Sequence, residues 1–302
     1  MFSVICWRDW MHCIDRKGNK VFVRDVPTGV IGVLYGFAAG RLLLRGLIWP
    51  GMSDLVGHFL DTKLSRVLNK SYIRRYGIDM SDYETGPFRS FNELFHRSAL
   101  PGARPVDGDA EVCVSPCDGK LQVFSIDEGA CFEIKGICYT MERLLRDPGL
   151  AERYRGGTLM LFRLGVDDYH RYAYPVDGTE GERVHLDGVL HTVTPVAAER
   201  RPIYCENIRE YSLIRTQEFG TVLMMEVGAL LVGRIRSSHP TGPVRRGEEK
   251  GWFEFGASSI LLCFEKGRMQ PDADLRKNTE NGYETLVKLG ERIGCMPPPG
   301  EN

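Results

Sequence analysis

The chain has 302 residues and a formal net charge of −1, with 39 lysines and arginines against 40 aspartates and glutamates. At 43% hydrophobic and 26% charged residues it can bury one large core or two small ones, which excludes a disordered or fibrous chain. The near-zero charge also removes the electrostatic basis for a dedicated nucleic-acid binder, so no nucleic acid is expected as a partner.

Charge is unevenly spread along the chain: residues 1–75 carry net +7, leaving −8 for the other 227. A solvated helix face and an anionic membrane surface both fit that basic quarter. The start at Met1-Phe2-Ser3 shows no basic stretch followed by an apolar core, so no secretory signal is expected. The uncharged run VPTGVIGVLYGFAAG at 26–40 falls short of the roughly 20 residues a spanning helix needs. Arg41 and Arg45 follow it at helical spacing and share one face. Leu55, Val56, Phe59, Leu60, Leu64, Val67 and Leu68 then predict an amphipathic helix that faces either a core or a lipid surface.

The turn-rich loop LPGARPVDGDAE separates this helical quarter from the rest. We expect an N-terminal helical, membrane-associating region over 1–99 and a β-rich domain over 100–302. Within the latter, VCVSPCDGKLQVF, TLMLFRLGV, GVLHTVTPV, TVLMMEVGALLVGRI and FEFGASSILLCF read as strands, and 140–154 as one helix opened by Thr140. The predicted class is α+β, N-terminal helices followed by a sandwich- or barrel-like body. Thirty-four glycines fit a turn-rich fold of this kind. Nine cysteines without a Cys-x-x-Cys pair or nearby histidines point to reduced thiols facing a cytosol, and no metal site is expected.

The phosphate-binding, dinucleotide-binding, zinc-protease and nucleophile-elbow signatures are absent. Three segments place reactive groups beside turns. SPCDGK holds Asp118 between a proline and a glycine, a pattern that is also ordinary turn chemistry. DDYHRY places His170 after two carboxylates, where a near-neutral base would be tuned by its neighbours. FEFGASSILLCF breaks a strand with small residues, where the Ser258 hydroxyl could approach the Ala257 carbonyl if a base and oxyanion donors were near.

Together with FNELFHRSALPGARPVD, EIKGICYTMERLL, ENIREY, MEVGALLVGRI, EEKGWFEFGASS and NGYETLVKLGERIG, these segments stand in an order that resembles the phosphatidylserine decarboxylases, from about Phe88 to Gly294. The resemblance implies a proenzyme that cuts its own backbone between Ala257 and Ser258, giving a β chain 1–257 and an α chain 258–302. Ser258 would become a pyruvoyl cofactor, which binds the amine of phosphatidylserine as a Schiff base and takes up the electrons freed with carbon dioxide. Asp118 would be the acidic member of the self-cleavage triad, and His170 the histidine of the decarboxylation step. The resemblance further implies a peripheral enzyme on the cytoplasmic face of a membrane, with phosphatidylserine, the membrane surface and its own cleaved chains as partners; it is compatible with a homodimer. Arg171 and Arg209 are candidates for a phosphate or carboxylate, against ordinary ion pairing.

Two positions depart from the family's pattern. Its second histidine, generally the triad base, is Ala173 here, and its usual glycine before the cleaved serine is Ala257. Three arrangements remain open at this level. His170 serves both steps, or His191 in GVLHTVTP replaces the lost imidazole, or the chain is an uncut lipid-binding homologue. A decarboxylase for another amino-acid headgroup lipid would show the same motifs.

Overall fold

The computed structural model describes residues 10–24, 34–35, 38–109, 111–230, 234–256 and 258–298. Two apolar runs flank Asp15-Arg16-Lys17-Gly18-Asn19 and close a hairpin of β1 (Trp10–Ile14) and β2 (Lys20–Arg24). Asp15 accepts the Lys17 and Asn19 amides, and Gly18 takes the positive φ of 85° that the turn requires. This corrects the expectation that 1–99 is helical throughout. Turn chemistry governs residues 10–24, and β1 runs parallel to a strand from the far end of the chain.

Helices follow: α1 (Ala38–Leu47), α2 (Pro50–Asp61), a 3-10 turn at Lys63–Leu68, α3 (Asn69–Tyr76) and α4 (Phe91–Phe95). Of the apolar run expected at 26–40, only 34–35 and 38–40 lie within the described residues. The amphipathic pattern divides between two surfaces. Leu60 packs inward with Tyr72, Phe91 and Phe95, whereas Leu55, Phe59, Leu64 and Val67 are exposed, Val67 by 80%. No described helix is long and apolar enough to cross a membrane.

The body opens with β3 (Val112–Val114), β4 (Gly119–Ser125), β5 (Cys131–Ile134) and β6 (Ile137–Thr140). The single helix expected at 140–154 is two, α5 (Met141–Leu145) and α6 (Pro148–Arg153). Pro148 cannot continue a helix but suits a first turn capped by Asp147, so Arg146 turns left-handed between them. Next come β7 (Thr158–Leu164), β8 (Arg171–Ala173), β9 (Gly178–Glu180), β10 (Val184–Leu186), α7 (Pro195–Ala198) and α8 (Ile203–Glu206). The strand expected at GVLHTVTPV is absent beyond one bridge, Val189 with Asn207. The Asn207 side chain instead satisfies both backbone groups of His191, doing the work of a ladder partner.

The remaining elements are β11 (Arg209–Arg215), β12 (Thr221–Val227), β13 (Ile235–Ser237), β14 (Gly242–Val244) and β15 (Glu249–Phe253). They are followed by β16 (Ser258–Phe264), β17 (Gln270–Pro271), α9 (Ala273–Glu280), β18 (Glu284–Val287) and β19 (Arg292–Cys295). The fold is α+β with a β-rich body. Its main sheet is open, ordered β14-β9-β11-β12-β16-β7-β4-β18-β1-β2 with β10 on β11. Strand alternation gives this sheet two apolar faces. Ile260, Leu262 and Phe264 enter one core, and Leu261 and Cys263 the other.

Register brings the motif segments to one end of the central strands. β16 begins at Ser258 opposite the last residue of β7, Leu164, and β4 begins at Gly119 one residue after Asp118. The β7 end leads directly into the loop carrying His170. A buried ion pair, Arg163 with Glu284 at 2.7 Å, ties β7 to β18 across the intervening β4. Removing Arg163 leaves the buried Glu284 carboxylate without its cation, so Arg163→Met should cost about 3–5 kcal/mol in chemical denaturation. The apolar double variant Arg163→Met/Glu284→Leu should recover most of that loss.

Candidate active site

His170 is wholly buried between the body and the N-terminal helices. Its ring lies 3.9 Å, centroid to centroid, from Phe95 of α4, and the Tyr72 hydroxyl of α3 donates to the Val166 carbonyl in the same loop. Nδ1 bonds the Asp168 carbonyl at 3.0 Å, which requires a proton on that nitrogen. Nε2 then carries the ring's lone pair and makes no well-formed hydrogen bond, although the Gly256 backbone lies close enough to act on the ring. Burial, reinforced by the Arg97 cation, pushes the imidazole down to about 3, so it is a neutral base at physiological pH. The Gly256 carbonyl pulls weakly the other way, which places the ring beside the segment preceding Ser258. The Phe253 amide also donates to the His170 carbonyl at 2.9 Å.

Ser258 is fully buried at the head of β16, and its hydroxyl has no hydrogen-bond partner. Ala257 lies outside the described residues. Gly256 adopts a φ of 125°, a conformation that glycine tolerates and alanine resists. The permissive residue thus stands one position before the expected glycine.

Asp118 is engaged elsewhere. Arg104 grips both its oxygens, with Nη2 at 2.7 Å, and the Leu289 amide donates to Oδ1 at 2.9 Å. It reaches His170 only through a relay. Arg104 also donates to the Tyr83 hydroxyl, Arg97 lies over the Tyr83 ring at 4.1 Å, and Arg97 and His170 share the Asp168 carbonyl. The Asp168 carboxylate pairs with buried Lys120; burial drives that carboxyl upward and the ammonium opposes the shift.

His191 has partners of its own. Nδ1 lies 3.0 Å from the Tyr35 hydroxyl and Nε2 3.3 Å from Glu206, whose carboxyl is held down chiefly by that contact. Arg171 pairs with Glu249, and buried Arg209 donates to the carbonyls of Leu144, Asn207 and Arg143. Both arginines are spoken for structurally.

Residues 91–295 match the phosphatidylserine decarboxylase family model. The chain is 39% identical over 274 residues to phosphatidylserine decarboxylase proenzyme 2 of Clostridium acetobutylicum, covering 90% of this chain and 94% of that one. It is also 39% identical to the proenzyme of Ruminiclostridium cellulolyticum (93% and 96% covered) and 36% identical to that of Fusobacterium nucleatum (93% and 96% covered). The chain belongs to the phosphatidylserine decarboxylase family.

Within this family of carboxy-lyases, the alanine at the second-histidine position leaves room that no imidazole refills. Ala173 lines a cavity of about 160 Å³ with Arg104, Tyr169, Tyr172, Glu249 and Leu289 among its walls, and no histidine lines it. Sequence reasoning overlooked Arg97, Arg104 and Lys120. Arg97 and Arg104 sit in FHRSALPGARP and Lys120 closes SPCDGK, so the signal was a cation inside each quoted motif.

Burial of His170 has a measurable signature. The unfolded imidazole takes a proton near pH 6.5 while the native one does not until about pH 3, so stability falls as pH drops through that window. From pH 7 to 5 the wild type should lose about 2 kcal/mol more than His170→Gln in urea titrations. Equal losses would show that the native imidazole protonates freely.

Proposed function

We propose that this chain decarboxylates phosphatidylserine to phosphatidylethanolamine with a pyruvoyl group made from its own Ser258. The observation that carries this is that two buried atoms without hydrogen-bond partners, the Ser258 hydroxyl and Nε2 of His170, sit on segments that the register of β7 and β16 brings to one end of the sheet. A hydroxyl is a poor nucleophile until a base takes its proton, and the unprotonated ring nitrogen of a neutral imidazole can take it.

In the maturation step His170 accepts the Ser258 proton as Oγ adds to the Ala257 carbonyl carbon. The carbon–nitrogen bond then breaks, the proton passes to the Ser258 nitrogen, and an ester joins the two residues. A base then removes the Ser258 α-proton as the Ala257 carboxylate leaves; the resulting dehydroalanine tautomerises to an imine, and water releases its nitrogen as ammonia, leaving a pyruvoyl group at the head of 258–302. We assign Asp118 a positioning part, through Arg104 and Tyr83, and assign the base in both steps to His170 rather than His191.

A pyruvoyl group on Ser258 would supply a carbonyl for the substrate amine and an electron sink for decarboxylation. The chain's own residues supply the setting. Phe95 and Phe255 beside His170 exclude water, which favours loss of the substrate carboxylate as neutral carbon dioxide. Nε2 of His170 would first take up a proton released as the substrate amine condenses and then return it to the decarboxylated carbon.

The exposed Leu55, Phe59, Leu64 and Val67, with Lys63, Arg66 and Lys70 among them, support a peripheral seat on an anionic membrane. Their helices pack on α4, so that seat would bring the headgroup layer to the site. We retain a membrane-associating region within 1–99 and a catalytic domain over 100–302, with residues 10–24 assigned to the latter's sheet. Cysteine usage supports the cytoplasmic face.

Phosphatidylserine in detergent micelles should yield carbon dioxide and phosphatidylethanolamine with the wild type and neither with Ser258→Ala. His191→Gln should remain cleaved and active. An uncut His191→Gln protein would assign the base to His191 instead.

A further inference from the structure

Four cationic side chains in the described residues are buried to 1% exposure or less, and three of them have full sets of partners. Lys120 pairs with Asp168 and Asp167, Lys250 with Glu226 and Glu180, and Arg209 donates to three backbone carbonyls at 2.8–3.1 Å. Arg97 differs. No carboxylate of the described residues lies within ion-pair distance of it. Its terminal nitrogens reach the Phe95 and Asp168 carbonyls, each at the limiting distance of 3.5 Å, with the neutral Tyr83 hydroxyl as a further neighbour, and Nε has no partner. The Tyr83 ring beneath it, at 4.1 Å, gives a cation–π contact in place of a counter-ion.

A guanidinium held out of water without an anion is costly, and a folded chain keeps one where a ligand supplies the missing charge. Arg97 lines a cavity of about 400 Å³, whose wall also carries Arg89, Arg171 and His96 against two carboxylates, Glu84 and Glu93. It meets His170 on a single carbonyl oxygen, that of Asp168.

We propose that Arg97 is the anion anchor of the substrate site and receives the phosphodiester of the headgroup. This rests on the decarboxylase function proposed above. The phosphodiester is chosen over the carboxylate on chemical grounds. A fork of donors on the carboxylate would stabilise the charge that must leave as neutral carbon dioxide, and so slow the reaction. The phosphodiester keeps its charge from binding to product release, so its anchor contributes to ground and transition states alike. Loss of Arg97 therefore weakens binding of the headgroup.

The test uses glycerophosphoserine as a soluble probe on uncut Ser258→Ala protein, read by calorimetry, so that it needs neither cleavage nor turnover. Adding Arg97→Met should weaken binding at least about tenfold, and Arg97→Lys should recover part of it. Because the native cation has no counter-ion, Arg97→Met should melt no lower than its parent, whereas a purely structural arginine would lower the melting temperature. In the cleaved enzyme, Arg97→Met should raise KM for phosphatidylserine by at least about tenfold. Unchanged glycerophosphoserine binding, or a fall in kcat at constant KM, would overturn the assignment. Inactive wild type that still shows Arg97-dependent binding would instead refute the decarboxylase reading and leave the anchor standing.

Discussion

Desolvation of one imidazole is the constraint on which the site depends. Burial keeps the native His170 neutral across the physiological range, where a wetted imidazole would be partly protonated. The fold achieves this by laying Phe95 of α4 on the ring and backing it with the Arg97 cation. The proton on Nδ1 is fixed by the Asp168 carbonyl, which leaves Nε2 as the basic atom. The N-terminal helices therefore belong to the chemistry as well as to the surface: without α3 and α4 over the 165–170 loop, the imidazole would be wet.

The main sheet arranges the other parts. β4, β7 and β16 are neighbours, and their registers bring the SPCDGK, DDYHRY and FGASS segments to the same end. Lys120 and Arg163 pair across β4 and β7, and each takes a carboxylate, so the polar groups among these central strands are neutralised in place. Tyr83 then links the Arg104–Asp118 pair to Arg97, joining the acidic residue to the histidine through cations and a ring rather than by direct contact.

Much of this was legible in the sequence. Alternating apolar runs gave β7, β12 and β16, and the α+β class followed from their order. Three elements were misread for identifiable reasons. The 10–24 hairpin was overlooked because its turn, Asp15 to Asn19, lay in a stretch judged by charge and helical spacing. The 140–154 helix was read through Pro148, which starts a second helix. GVLHTVTPV looked like a strand because its apolar residues alternate, yet its backbone is satisfied by the Asn207 side chain, a long-range contact invisible to local pattern. At the site, motif order found Asp118, His170 and Ser258 but not their partners. Arg97 and Arg104 act through burial and pairing, which only tertiary structure displays. His191 drew attention as a spare imidazole, whereas Tyr35 and Glu206 occupy both its nitrogens.

The central claim is that neutral His170 activates Ser258 to break the bond before it. Intact mass of the purified chain, measured for wild type and for His170→Gln, tests it most directly. We expect wild type as two chains, 1–257 and 258–302, the shorter blocked by pyruvoyl, and His170→Gln as one species of 34.1 kDa. A single full-length wild-type species, or a His170→Gln protein cut as completely as wild type, would contradict it.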